Sequence, residues 1–138
     1  MAEPATNSGP GRVLIAIYLL FAIAASSRAG LQIATRFDEA PLAYLLSALA
    51  AAIYVVATAG LARDGALGRR VALICCTVEL LGVLLVGLLS LARPALFPDD
   101  TVWSEFGRGY GFIPLVLPVI GLLWLRRTRP GGAGTTGR

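Results

Sequence analysis

The chain of 138 residues contains no histidine, and all 12 of its basic residues are arginine. Without histidine there is no imidazole-ligated metal, no imidazole pH switch and no Ser/His or Cys/His nucleophile pair. Without lysine there is no Schiff-base amine and no Ser/Lys dyad. Charge is scarce: charged residues make up 14% of the sequence, against about 25% in soluble domains. The two cysteines, Cys75 and Cys76, are adjacent within an apolar run, which is neither a CxxC redox pair nor a zinc motif. They read as small buried hydrophobes, with membrane redox chemistry as the enzymatic alternative. Acid–base catalysis by a carboxylate pair is also missing, because Glu79 is the one carboxylate inside an apolar span. No enzyme class is therefore expected, and no metal or cofactor.

Apolar sequence is abundant. Hydrophobic residues account for 57% of the chain, above the roughly 45–50% of soluble domains. A fold of this size cannot hide so much apolar surface from water, whereas lipid tails accept it. The net charge of +4 does not imply nucleic acid, because the arginines punctuate the ends of apolar runs instead of forming one basic face.

Four runs are expected to span a membrane, at 13–34, 42–62, 71–91 and 107–125. The first, of about 22 residues, gives roughly 33 Å of helix, enough for a hydrocarbon core of about 30 Å. It also has the basic residue, apolar stretch and small residues of a secretory leader, but its apolar character continues past the cleavage-like alanines. Residues 1–11 and 130–138, rich in Pro, Gly and small polar residues, read as flexible tails. Asp38, Glu39 and Pro41 suit the start of the second helix, and Arg63-Asp64-Gly65 its end. Pro114 and Pro118 fall in the fourth span, where each removes a backbone donor.

Arginine placement sets the expected orientation. Arg12, Arg63, Arg69, Arg70, Arg126, Arg127, Arg129 and Arg138 fall on one side of the spans, and Arg36, Arg93 and Arg108 on the other. The positive-inside rule makes the first side cytoplasmic. The expected fold is all-α: a membrane-embedded four-helix bundle, up-down-up-down, with both termini cytoplasmic. Trp103, Phe106 and Tyr110, at i, i+3 and i+7, read as an aromatic belt at the outer boundary, with Trp124 at the inner one. The GxxxG spacing of Gly107 and Gly111 suits a helix interface and is no phosphate loop, having no preceding strand and no following GK[ST].

Glu79 and Arg28 are the ionisable residues inside spans, where charge is costly and marks a candidate site. Counted along the helices, Arg28 stands about 10 Å further from the cytoplasmic side than Glu79. A direct pair therefore needs stagger between the helices, and a water-mediated link or separate partners remain open. At the level of Glu79 on the second helix stands Tyr54. Ser47, Ala51, Tyr54 and Thr58 form one stripe that could face the carboxyl. Gln32 is the further polar side chain of the first span. Glu79, Arg28, Tyr54, Thr58, Ser47 and Gln32 are thus the candidate intramembrane polar site. Its plainest role is structural, with a neutral, hydrogen-bonded Glu79 holding helix register; a proton or cation path and contact with a partner subunit are the alternatives.

The arginine-only usage, with the segments APLAYLLSALAAAIYVVATAGLA and FPDDTVWSEFGRGYGFIPLVLPVIGLLWLRR, resembles the small uncharacterised four-span integral membrane proteins of high-GC actinobacteria. The resemblance implies a multi-pass protein of a bacterial plasma membrane and carries no catalytic motif. The expected role is that of a non-catalytic accessory or assembly subunit, whose partners are the lipid bilayer and a membrane protein or further copies of itself, with no nucleic acid. The alternative is a small oligomeric transporter or ion pathway using Glu79 and Arg28.

Overall fold

A computed structural model of the chain describes residues 7–128. The expected tail at 130–138 and the first six residues of the expected tail at 1–11 lie outside the described residues. Four α-helices follow in order: α1 (Pro10–Arg36), α2 (Pro41–Ala62), α3 (Ala66–Ala92) and α4 (Ile113–Arg127). Short 3₁₀ segments lie at Phe37–Glu39, Pro94–Leu96 and Ser104–Tyr110. The first three helices are long and apolar enough to cross a membrane, and a fourth span is counted if Ser104–Tyr110 and α4 are taken together.

Hydropathy located the helices but not their ends. Helix α1 begins at Pro10, inside the stretch expected to be a tail. Proline is favourable there because its missing N–H would have no partner in the first turn. Asn7 is also held, its side-chain amide donating to the Ala62 carbonyl at 2.9 Å and to Asp64 at 3.2 Å. Helix α2 begins at Pro41 as the sequence indicates. Helix α3 begins five residues before the expected span, so Arg69 and Arg70 are helical. Hydropathy marks the lipid-immersed length, and a helix ending in arginine can continue into the interface because the long stem carries the charge to polar partners. The Arg69 guanidinium donates to the carbonyls of Leu125 and Thr128 at the end of α4.

The largest departure is at 107–125, which is not one helix. Ser104–Tyr110 and α4 meet at 98°. Glu105, Phe106 and Gly107 take φ values of 51°, 62° and 82°, followed by Gly111 at 65° and Phe112 at 61°. Left-handed backbone at that density stops a helix. Pro114 adds a second reason, since it belongs in a first turn and sits there in α4. It therefore does not break a longer helix at Tyr110 as expected. Pro118 is inside α4 and leaves the Pro114 carbonyl without its usual donor. With 15 residues, α4 is only about 22 Å long, short of a full bilayer core.

Adjacent helices pack in sequence order, α1 on α2, α2 on α3 and α3 on α4, and the segment before α4 lies against α3. Small side chains such as Ala22 and Ala25 of α1 and Ala50 and Ala57 of α2 are buried, and small residues let helix backbones approach in lipid. Helices α2 and α3 run close at Gly60, where a Cβ would stand 2.9 Å from the Ala72 amide. Large aliphatic residues point outward: Leu20, Leu31, Leu85 and Leu88 are each about 60% exposed. Helices apolar on every side suit lipid, not water.

The three aromatics expected to form a boundary belt turn inward instead. Trp103 is 2% exposed, and its ring occupies the space a Cβ on Gly82 would need, at 2.6 Å. Phe106 sits on Gly87 in the same way, at 2.4 Å. Tyr110 packs against Phe21, ring centroids 5.9 Å apart. The i, i+3, i+7 spacing implied one helical face, and the left-handed residues between them remove that geometry.

Candidate functional site

Helix α3 carries Cys76, Glu79, Val83 and Val86 on its buried side. The Glu79 side chain is completely enclosed. Its first partner comes from α1: the Tyr18 hydroxyl donates to Glu79 Oε1 at 2.8 Å and lies 3.3 Å from Cys76 Sγ. Gly121 of α4 closes the same corner, since a Cβ there would meet Cys76 Sγ at 2.8 Å. Tyr54 of α2 completes the wall, its ring 6.2 Å from that of Tyr18 and 5.7 Å, edge-on, from that of Phe21.

This enclosure leaves polar atoms without partners. Glu79 Oε2, the Tyr54 hydroxyl and Trp103 Nε1 are all buried with no hydrogen bond. Tyr54 lies within electrostatic reach of both Glu79 and Trp103, so the three belong to one interior cluster. An unsatisfied buried polar atom costs about 1–3 kcal/mol, so this is the least satisfied part of the interior.

The candidate residues divide between two places. Tyr54 stands beside Glu79 as expected, but without the hydrogen bond to it. Ser47 is buried further along α2, where its hydroxyl accepts from the Val102 amide at 3.3 Å and ties down the segment before α4. Thr58 donates to the Tyr54 carbonyl at 2.7 Å and does not reach the carboxyl. Gln32 is buried with both side-chain amide atoms unpartnered. Arg28 is elsewhere: it donates to the Tyr110 hydroxyl, and its guanidinium carbon lies 5.8 Å from that ring's centroid. Arg28 and Glu79 therefore take separate partners. Tyr18 is ten residues before Arg28 on α1, about 15 Å along the axis, and it is Tyr18 that bonds Glu79.

A second polar cluster gathers where α1 ends and α2 begins. The Tyr44 hydroxyl donates to Asp99 Oδ2 at 2.9 Å, the Asp100 amide donates to Asp99 Oδ1 at 2.8 Å, and Arg36 stands 4.0 Å away. Partial burial works to raise the Asp99 pKa. The bonds from Tyr44 and the Asp100 amide, with the nearby arginines, outweigh that and hold it below the usual carboxylate value. Next to it, the Thr101 amide donates to Ser104 Oγ at 2.8 Å, and the Trp103 amide donates to Thr101 Oγ1 at 3.0 Å. Ser90 of α3 accepts from the Glu105 amide at 2.8 Å and donates to the Gly87 carbonyl at 2.8 Å. Arg108 pairs with Glu105 at 3.0 Å.

Sequence reasoning passed over Tyr18, Trp103, Ser90 and Asp99. Tyr18 had a visible signal, being a hydroxyl within an otherwise apolar run. Trp103 and Phe106 had one in Gly82 and Gly87, where the missing side chain leaves space on α3 that a ring can fill.

Among the described residues no three His, Cys, Asp or Glu side chains group as a metal site. Cys75 and Cys76 are buried free thiols. No family model matches the chain, and no curated protein or solved structure matches it either.

Proposed function

We propose that the chain is a non-catalytic subunit of a membrane assembly, a helical bundle acting through a protein partner in a bacterial plasma membrane. The observation that carries this reading is a groove of about 420 Å³ on the outside of α1 and α2, whose lining includes Ala22, Ser26, Ser27, Thr58, Ala59 and Ala62. Small residues with hydroxyls are what a second membrane helix needs to approach closely, since lipid supplies no hydrophobic force between helices. The contacts between Asn7 and Ala62 and between Arg69 and the end of α4 support an antiparallel order of neighbours. With the arginine distribution, that order favours both termini on the cytoplasmic side.

The test is purification of the tagged chain from its native membrane in mild detergent, alongside Ala59→Leu and Ser26→Leu. A stoichiometric membrane partner that both variants lose, with the variants still folded, is the expected result. A chain that purifies alone, or variants that keep the partner, would overturn the reading.

One observation favours a second reading, a proton or ion pathway. Glu79 Oε2 and the Tyr54 hydroxyl are unpartnered and could accept or relay a proton. Against it stands the complete enclosure of Glu79. A proton flux in reconstituted vesicles that Glu79→Gln abolishes would establish this alternative, and an unchanged flux would remove it.

A further inference from the structure

A pocket of about 430 Å³ opens beside α1, and Arg28, Asp100, Ser104, Glu105, Arg108 and Tyr110 contribute to its lining. This is within the range of small-ligand sites, about 300–1,000 Å³. Unlike the groove on α1 and α2, its walls carry charge of both signs. Arg28 is exposed, and no carboxylate among the described residues lies within ion-pair distance of it. It meets the Tyr110 hydroxyl and ring and acts on the Asp99 carboxylate only at longer range. Its guanidinium has five N–H donors in a planar fork suited to phosphate oxygens. The two acids differ: Glu105 is already paired with Arg108 at 3.0 Å, whereas Asp100 is exposed with no cation against it among the described residues.

The framework holding these groups is strained and well bonded. Glu105 and Phe106 keep left-handed backbone without being glycine, a strained state that persists where surroundings enforce it and that clusters at ligand sites. Phe106 anchored on Gly87, and Ser90 bonded to the Glu105 amide, supply that enforcement. The Thr101 and Ser104 hydroxyls bond each other and nearby amides, so they shape the wall instead of competing for a ligand.

The depth of the pocket narrows the ligand. Arg28 is eight residues before the end of α1 at Arg36, about 12 Å along the helix axis. Large exposed apolar residues follow the lining residues in the chain, Leu31 three positions after Arg28 at 65% exposure and Phe112 two after Tyr110 at 45%. That is the setting of the boundary between acyl chains and headgroups. A doubly charged anion with no cation of its own would gain from Arg28 but be opposed by Asp100. A quaternary ammonium could not donate hydrogen bonds to the acids.

We infer that this pocket binds a phosphodiester or phosphomonoester bearing a primary ammonium, of the phosphoethanolamine type, with its phosphate on Arg28 and its ammonium on Asp100. Such a group is either a phosphatidylethanolamine headgroup or a soluble phosphoethanolamine compound. The inference is independent of the subunit role.

Native mass spectrometry of the intact protein in detergent tests it, with phosphatidylethanolamine, phosphatidylglycerol, phosphatidylcholine and free phosphoethanolamine as probes. Retention of phosphatidylethanolamine above the other two lipids is expected. Arg28→Gln should weaken that retention at least about tenfold, the size of one lost charge-assisted contact. Asp100→Asn, an exposed change that keeps the fold, should erase the preference over phosphatidylcholine. Bound lipid that free phosphoethanolamine does not displace assigns the site to the membrane. Displacement at equal concentration assigns it to the soluble compound, and both results keep the site. Equal retention of phosphatidylglycerol, unchanged binding in both variants, or no binding of any probe would overturn the inference.

Discussion

Helices α1 to α3 and the segment from Phe97 to Phe112 obey different rules. The three helices are regular and apolar and leave most of their side chains to lipid. The segment contains three non-glycine residues with left-handed backbone, at Glu105, Phe106 and Phe112, and seats Trp103 and Phe106 against α3. A helix in lipid satisfies its own backbone, so composition and length suffice to specify it. An irregular segment must find partners outside itself. This one finds them in Ser47 and Ser90 and in two ring seats, Gly82 and Gly87, all on the regular helices.

The strongest way to break that dependence is to fill a ring seat. A side chain on Gly87 would begin 2.4 Å from the Phe106 ring. Gly87→Leu should therefore unseat the segment at a cost of about 1–3 kcal/mol, as overpacking does, read as earlier unfolding in a denaturant titration and as proteolysis near 105–112. Unchanged protection there would show that the segment holds itself. The next largest effect is expected at the interior carboxyl. Tyr18→Phe removes the bond to Glu79 Oε1 and leaves that oxygen unsatisfied, a loss of about 1–3 kcal/mol. The same titration measures it, and Tyr54→Phe, which breaks no such bond, should cost less.

Gly30→Ala sharpens the comparison from the regular side. Nothing lies within 4 Å of a Cβ at Gly30, so alanine in mid-helix should stabilise by about 0.5–1 kcal/mol. The smallest effect concerns pH. The folded pKa of Asp99 lies below the ordinary aspartate value of 3.8. Its contribution to stability is therefore present above 3.8 and is lost as pH falls through the lower folded value. Tyr44→Phe removes one of the bonds that lower it. The variant should lose stability at neutral pH and show a shallower further loss on acidification below that point, measured as thermal midpoint against pH.

Much of this was legible in the residues. Apolar runs located α1, α2 and α3 because length and composition alone decide whether a helix suits a bilayer. Depth counting placed Tyr54 beside Glu79 because rise per residue is constant. The fourth run misled because hydropathy does not register backbone hand, and Phe106 and Phe112 are as apolar in a left-handed conformation as in a helix. Charge and depth left open whether Arg28 meets Glu79 or takes a separate partner, because an axial offset of about 10 Å is closed only by stagger between the helices. The tyrosine closer in level made the bond instead.

The sequence by itself determined that the chain forms apolar helices with few ionisable groups between them, since each helix closes its own hydrogen bonds wherever it sits. Only the tertiary structure decided which polar groups meet. In lipid no hydrophobic force draws helices together, so their positions follow from how closely small residues let them approach and where rings can seat. Those contacts carried Tyr18 to Glu79 and left Arg28 beside Tyr110, in the pocket it shares with Asp100.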